Sequence, residues 1–335
     1  MKPTVYLQAG FWKSLSANYS REGIRTKLDV SDALGDTCVI TDVTEEMILN
    51  DDFLRIIIKQ RSYQRCSENY IDNTIANLKS SNSADVLCAT YMTNKSISEC
   101  HNIENNFGIL MINPTIATDR RYLFKGDGFI LDKEKQYPQR YVAFKEKLSH
   151  PCNSLIIIDP YLLKKREANE DGNVIYPGIV NNLESLLDAI LPQKLEVDFY
   201  LTIVSCLGDP KDIKRVYEKI KKCLKRIRRE LNIKLGLFYT ELGYYFKTES
   251  FHSRHVLSNT FVIDSEDGLD LFNAKGFITK NNPLISIVYP RMFGNSRQDV
   301  TKYYKWISSV KKYIEDCSYS CGDKGNRLFE LVDTD

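Results

Sequence analysis

The sequence predicts an α/β protein of two domains, and three observations predict it. Short apolar runs alternate with amphipathic stretches along the chain, the pattern of sheets covered by helices. The length, 335 residues, has room for two cores. The polar, proline-bearing Ser149-His150-Pro151 segment reads as a break. It divides the chain into an N-terminal α/β domain, 1–150, and a larger C-terminal domain, 151–335.

In the N-terminal part, Thr4 to Phe11, Thr37 to Asp42, Asp85 to Tyr91 and Phe107 to Asn113 read as strands. Glu45 to Lys59 and Asn69 to Leu78 read as helices. The alternation fits a Rossmann-like or PIN-like layer, or a degenerate half of a two-half fold. A metal nuclease here would need clustered carboxylates. Asp42 and Asp85 lie near strands, but Gln8 stands where the first strand would carry an acid. Gly126-Asp127-Gly128 is a turn signal, and no glycine-rich phosphate loop is present.

The C-terminal part is more legible. Ser154 to Leu163 (SLIIIDPYLL) is an apolar run ending in Asp159-Pro160-Tyr161, as a buried strand with a polar carboxyl end would be. Ile179 to Leu191 is an amphipathic helix with Ile179, Leu183, Leu186, Leu187 and Ile190 on one face. Glu196 to Ser205 and Asn232 to Thr240 are strands. Between them Lys211 to Asn232 forms a basic helix, with Asp209 as N-cap and Pro210 at its first position. Its cations, among them Lys222 and Arg229, lie off the apolar stripe. They suit a phosphate-tracking or acidic-lipid face, or simply a solvated face favourable to the helix dipole. Asp299 to Ile314 is a helix whose Tyr303, Tyr304 and Trp306 suit core packing, or base stacking beside Lys302 and Lys305.

Composition narrows the function classes. A hydrophobic fraction of 43% and an aromatic fraction of 11% support a packed core. Net charge is +2, so bulk charge points to neither nucleic acid nor membrane. No apolar run approaches a spanning helix and the N-terminus has no signal-peptide core, so the protein is expected to be cytoplasmic and not transmembrane. Nine scattered cysteines without a C-x-x-C pair fit reduced thiols and no zinc site. No metal or other cofactor is expected.

The chemistry centres on Phe251-His252-Ser253-Arg254-His255-Val256-Leu257-Ser258-Asn259. Side chains two apart on a strand share a face, so His252 and Arg254 can address one ligand. An imidazole beside a guanidinium suits a phosphate group, as nucleophile and anion clamp. His255 falls on the opposite face and reads as packing.

This stretch resembles the phospholipase D-like superfamily, whose motif is H-x-K followed four residues later by Asp. Here it stands as His252-x-Arg254, then four residues, then Asn259. The nearer likeness is to the phospholipase D-like C-terminal domain of microtubule-interacting-and-transport proteins. That domain has a DPY strand end, a His-x-Arg strand and a GLD-x-F segment. This chain has Asp159-Pro160-Tyr161, His252-Ser253-Arg254 and Gly268-Leu269-Asp270-Leu271-Phe272. The resemblance covers about 153–287. It implies a mixed-sheet phospholipase D-like domain with helices on both faces. It also implies His252 as nucleophile, with Arg254 and Asn259 on the phosphoryl oxygens. Asp159, Tyr161, Gly268 and Asp270 would support the site, with Lys222 and Arg229 as further phosphate contacts.

Active members of that superfamily use a second histidine, and this chain has no second H-x-[KR]. A homodimer setting two His252 rings face to face would complete the pair. The expectation is therefore a metal-independent phosphodiesterase acting on nucleic acid, in a microbial accessory or defence role. The alternative is an inactive module binding nucleic acid, anionic lipid or a protein.

Overall fold

The chain opens with a parallel sheet. Its elements are β1 (Val5–Gln8), α1 (Ala9–Ser16), β2 (Thr37–Thr41), α2 (Glu45–Asn50), α3 (Asp52–Gln60), β3 (Ser62–Cys66), α4 (Tyr70–Ala76), α5 (Ala84–Leu87), β4 (Thr90–Met92), α6 (Ile97–Phe107) and β5 (Leu110–Ile112). The computed structural model describes residues 5–16, 30, 37–60, 62–66, 69–81, 83–115, 127–168, 172, 174–241, 254–288 and 297–332. Strand order is β3-β2-β1-β4-β5, every pair parallel. The chain winds outward from β1 on one side and then on the other, as in doubly wound sheets.

Local chemistry sets several boundaries that periodicity misplaces. The helix expected over Glu45 to Lys59 is broken at Asp51. Its carboxylate caps the next helix, accepting from Leu54 N (2.9 Å), and also accepts from the Trp12 indole (2.9 Å). The strand expected from Asp85 begins only at Thr90, because Ser83 Oγ accepts from Asp85 N (3.3 Å) and starts a helical turn. α6 carries a Ser96/Glu99 capping box and ends on Gly108 at φ 62°. A Cβ on Gly108 would lie 2.2 Å from the Cys152 carbonyl, so only glycine permits this approach to the next sheet.

The second sheet is larger. It contains β6 (Asp127–Ile130), then α7 (Lys145–Leu148), β7 (Ser154–Ile158), α8 (Glu184–Ile190), β10 (Phe199–Ser205), α9 (Ile213–Ile227) and β11 (Ile233–Tyr239). A small hairpin, β8 (Glu167–Ala168) and β9 (Val174–Ile175), leaves the sheet between β7 and α8. β12 (Arg254–Ser258), β13 (Val262–Ser265), β14 (Leu284–Val288), α10 (Arg297–Asp316) and β15 (Ser320–Gly322) complete it. Strand order is β15-β11-β10-β7-β12-β13-β14-β6. β7, β10 and β11 are parallel and the remaining pairs antiparallel, so the sheet is mixed.

The chain enters this sheet at Asp127, so the boundary expected at Ser149–Pro151 falls inside the second unit. Asp127 and Gly128, read as a turn, begin the strand at the end of the strand order, where a glycine is better tolerated than in a central strand. Helices cover both faces. Leu155, Ile157 and Val256 face the cluster containing α8 and α9, while Ile156, Ile158 and Leu257 face α10 through Tyr303, Ile307 and Val310. No described helix is long and apolar enough to cross a membrane.

The two sheets share one apolar cluster, which takes in Leu7, Phe11 and Ile112 from the first and Leu155, Leu187 and Leu201 from the second. A cleft of about 550 Å³ lies at their junction, lined by His101, Glu104, Lys145, His150 and Lys194 among others. Glu104 Oε1 accepts from Met111 N (3.0 Å), and burial pushes its carboxyl from the ordinary 4.5 up to about 7. A raised carboxyl pKa favours the folded state below the unfolded value, and that advantage disappears as pH rises through the folded one. Glu104→Gln keeps the acceptor without the charge. Thermal denaturation is expected to show it more stable than wild type near pH 8 by about 1–3 kcal/mol and level with it near pH 4. An equal response at both pH values would mean that Glu104 is well hydrated.

Candidate functional site

The carboxyl edge of β7 and the amino end of β12 meet at one rim of the second sheet. β12 runs antiparallel to β7 with His255 opposite Ile158, so Arg254 arrives beside Asp159. Pro160 stops the strand, and Ser205 at the end of β10 donates to the Asp159 carbonyl (2.6 Å) while accepting from Leu163 N (3.2 Å). The Asp159 carboxylate is fully buried. One oxygen accepts from Tyr161 N (2.7 Å) and Leu162 N (3.2 Å), the other from Leu269 N (2.6 Å). Burial pushes its pKa up, opposed by those three N–H groups and by the charge of Arg254.

The opposite wall is the 268–272 segment. Gly268 sits at φ 91°, and a Cβ there would lie 3.3 Å from Asp159 Oδ2. Asn182, buried just ahead of α8, accepts from Leu271 N (3.1 Å) and Phe272 N (2.8 Å). It donates to Asp270 Oδ1 (2.6 Å) and to the Phe272 carbonyl (3.0 Å). Tyr141 donates its hydroxyl proton to the Leu269 carbonyl (2.9 Å). Asp159 and Asn182 thus hold this wall from two sides.

Between the walls lies a cleft of about 360 Å³, lined by Tyr161, Lys164, Lys165, Arg254, Asp267, Gly268, Asp270 and Lys280. The Arg254 guanidinium donates to the Glu266 carbonyl (2.5 Å) and lies 5.1 Å from the centre of the Tyr161 ring. Lys164 Nζ lies 5.5 Å from the same ring. Lys165 pairs with Glu167 at 2.6 Å. Asp270 is pushed up to about 6, chiefly by burial and then by the charge of Asp159, against Lys280 and Lys165. Four cationic side chains therefore face two carboxyl groups, one of them with a raised pKa. Such a balance attracts an anion, and a fixed guanidinium gives it direction.

The structure brings together Asp159, Tyr161, Arg254, Gly268 and Asp270 from the sequence expectation. His252 lies outside the described residues. Asn259 stands apart: five residues beyond Arg254 on an extended chain is about 16 Å. Its side chain accepts from Asn153 N (2.9 Å) and donates to Gly108 O (2.8 Å), so it ties the two sheets together. Lys222, on α9, and Arg229, just beyond its end, are exposed and outside the cleft lining. His255 is fully buried on the other face, stacked on Trp306 at 3.8 Å, and burial lowers its pKa to about 3.

In the first sheet, Asp42 follows the carboxyl end of β2 and accepts from Gln8 Nε2 (3.2 Å) and Asn69 N (2.7 Å). Asp85 precedes β4, at the amino edge of the parallel sheet, so the two acids do not converge. Among the described residues no group of three metal-ligating side chains is present. Sequence reasoning missed Lys164, Lys165, Lys280 and Asn182. The lysine pair directly after the DPYLL strand end was a usable signal. Lys280 lies in a loop, and Asn182 looks like any polar residue of an amphipathic helix.

Comparison with protein-family models matches none, and comparison with the curated proteins finds no similar sequence.

Proposed function

We propose that the protein binds the phosphate group of its ligand in the cleft between β7 and β12, on a scaffold of phospholipase D type. The observation that carries this reading is the convergence of Arg254, Lys164, Lys165 and Lys280 on one cleft, the first two over the Tyr161 ring, at a strand end braced by Asp159. The guanidinium is oriented by the Glu266 carbonyl, so it meets an oxyanion with little loss of side-chain freedom.

A phosphodiesterase is the second reading, and the position of His252 two residues before Arg254 favours it. In that chemistry the imidazole attacks phosphorus, a phosphohistidine forms and the leaving oxygen takes a proton. The acid would come from His252 of a second copy. Among the described residues no histidine lines this cleft.

Calorimetry with inorganic pyrophosphate tests the binding reading. Loss of a charge-assisted bond is worth about 1.5–3 kcal/mol, so Arg254→Ala is expected to weaken binding about 10- to 100-fold. Unchanged affinity would refute it. Labelled single- and double-stranded DNA and RNA incubated in EDTA test the second reading. Cleavage by wild type and none by His252→Ala would support a histidine nucleophile.

A further inference from the structure

The outward face of α9 carries a line of cations that plays no part in holding the helix to the sheet. Lys214, Lys221, Lys222 and Lys225 are exposed, as is Arg229 in the turn that follows the helix. Steps of three, four and seven residues keep the four lysines on one side of the helix, with Glu218 the single acid among them. The opposite side, Ile213, Val216, Ile220 and Leu224, is buried against the sheet.

Other cations of this region have structural partners. Arg226 pairs with Glu184, Arg228 with Asp188 at 2.6 Å, and Lys219 donates to the Val174 carbonyl at 2.7 Å. Among the described residues, Lys222, Lys225 and Arg229 form no ion pair. With a net charge of only +2, the strip is local and not a reflection of a basic chain.

The strip also connects to the cleft. α9 leaves the sheet from the end of β10, the rim that holds Asp159. Asp212, at the entry of α9, pairs with Arg166 (3.1 Å) and Arg215 (3.5 Å), and Arg166 directly follows the cleft residues Lys164 and Lys165. From Lys214 to Lys225 the helix rises about 17 Å, the span of about five phosphates of a stacked strand at 3.4 Å each.

We propose that α9 is the track for a single nucleic-acid strand whose terminal phosphate occupies the cleft, an inference that rests on the phosphate reading of that cleft. A narrow line of charge matches a backbone. An anionic membrane is the poorer match, because a helix that lies in a membrane surface inserts its apolar side, and here that side is covered. The cleft admits one strand end and is too small for a duplex.

The test is fluorescence anisotropy with a 5′-phosphorylated, labelled 20-nucleotide oligothymidylate at about 50 to 200 mM salt. Removal of three phosphate contacts should lower the salt slope by about 2, at roughly 0.7 per contact on a single strand. The triple variant Lys222→Gln, Lys225→Gln, Arg229→Gln is therefore expected to bind at least tenfold more weakly and with that shallower slope, while its pyrophosphate affinity stays at the wild-type value. Lys13→Gln, Lys305→Gln, Lys312→Gln removes equal charge from exposed positions on α1 and on α10, which covers the other face of the second sheet, and is expected to bind as wild type.

Oligothymidylate binding that is indifferent to the α9 triple variant but lost in Arg254→Ala would overturn the track and leave the cleft reading intact. Pyrophosphate binding indifferent to Arg254→Ala would overturn the cleft reading. Strip-dependent binding of vesicles rich in phosphatidylserine, or of polyglutamate, with none of the oligonucleotide, would also overturn the track.

Discussion

Asp159→Ala is expected to destabilise the protein by about 3–5 kcal/mol and to abolish pyrophosphate binding, as read by chemical denaturation and calorimetry. The carboxylate accepts from three backbone N–H groups, two on the β7 exit and one on the facing wall. Its removal leaves all three buried without an acceptor and takes away a charge that acts on Arg254. Asp159→Asn separates shape from chemistry. One amide oxygen can still serve Tyr161 N and Leu162 N, but the NH2 then faces the Leu269 N–H, a donor against a donor. Asparagine is expected to recover only part of the stability and to leave the 268–272 wall loosened, with pyrophosphate bound at least tenfold more weakly than by wild type. Asparagine equal to aspartate in both measurements would mean that Leu269 has another acceptor.

The same pair of residues shows what was legible in the sequence. Asp159 was readable because it ends a run of apolar residues at a proline, which marks a strand stopping at a rim. Arg254 was readable because period-two alternation assigns it a face whatever its neighbours are. The helices from Ile179 and Lys211 were equally plain in their buried stripes, but the second ends at Ile227 and not at Asn232, where Arg228 leaves helical geometry with its side chain bonded to Asp188 and the Leu191 carbonyl. The short strands β3, β4 and β15 were illegible or misplaced, being held by pairing with distant neighbours and not by their own pattern. The far side of the cleft was hidden for the same reason. Asp270 comes to face Lys165 only because Asn182 bonds a segment about 90 residues away, and no local pattern encodes such a bond. Asn259 misled because a sequence motif fixes distance along the chain, while a ligand responds to distance in space.

Asn259→Ala is accordingly expected to act on stability and not on the cleft. The Asn259 side chain accepts from Asn153 N (2.9 Å) and donates to the carbonyls of Gly108 (2.8 Å) and Leu87 (3.4 Å). Asn153 itself donates to the Leu87 carbonyl (2.7 Å) and accepts from Arg327 Nη1 (2.8 Å), so the two amides form one buried network between the sheets. Alanine orphans the Asn153 N–H and weakens the network, an expected loss of about 2–3 kcal/mol by denaturation with pyrophosphate affinity of the folded protein unchanged. Asn259→Asp supplies the residue found in the phospholipase D-like motif, and here it should be the worse change. Its second carboxylate oxygen would sit where the NH2 now donates, against two carbonyl oxygens and away from water. Greater destabilisation by aspartate than by alanine would show that this position serves the joint between the sheets. A gain in phosphate binding from the same substitution would instead place residue 259 in the site.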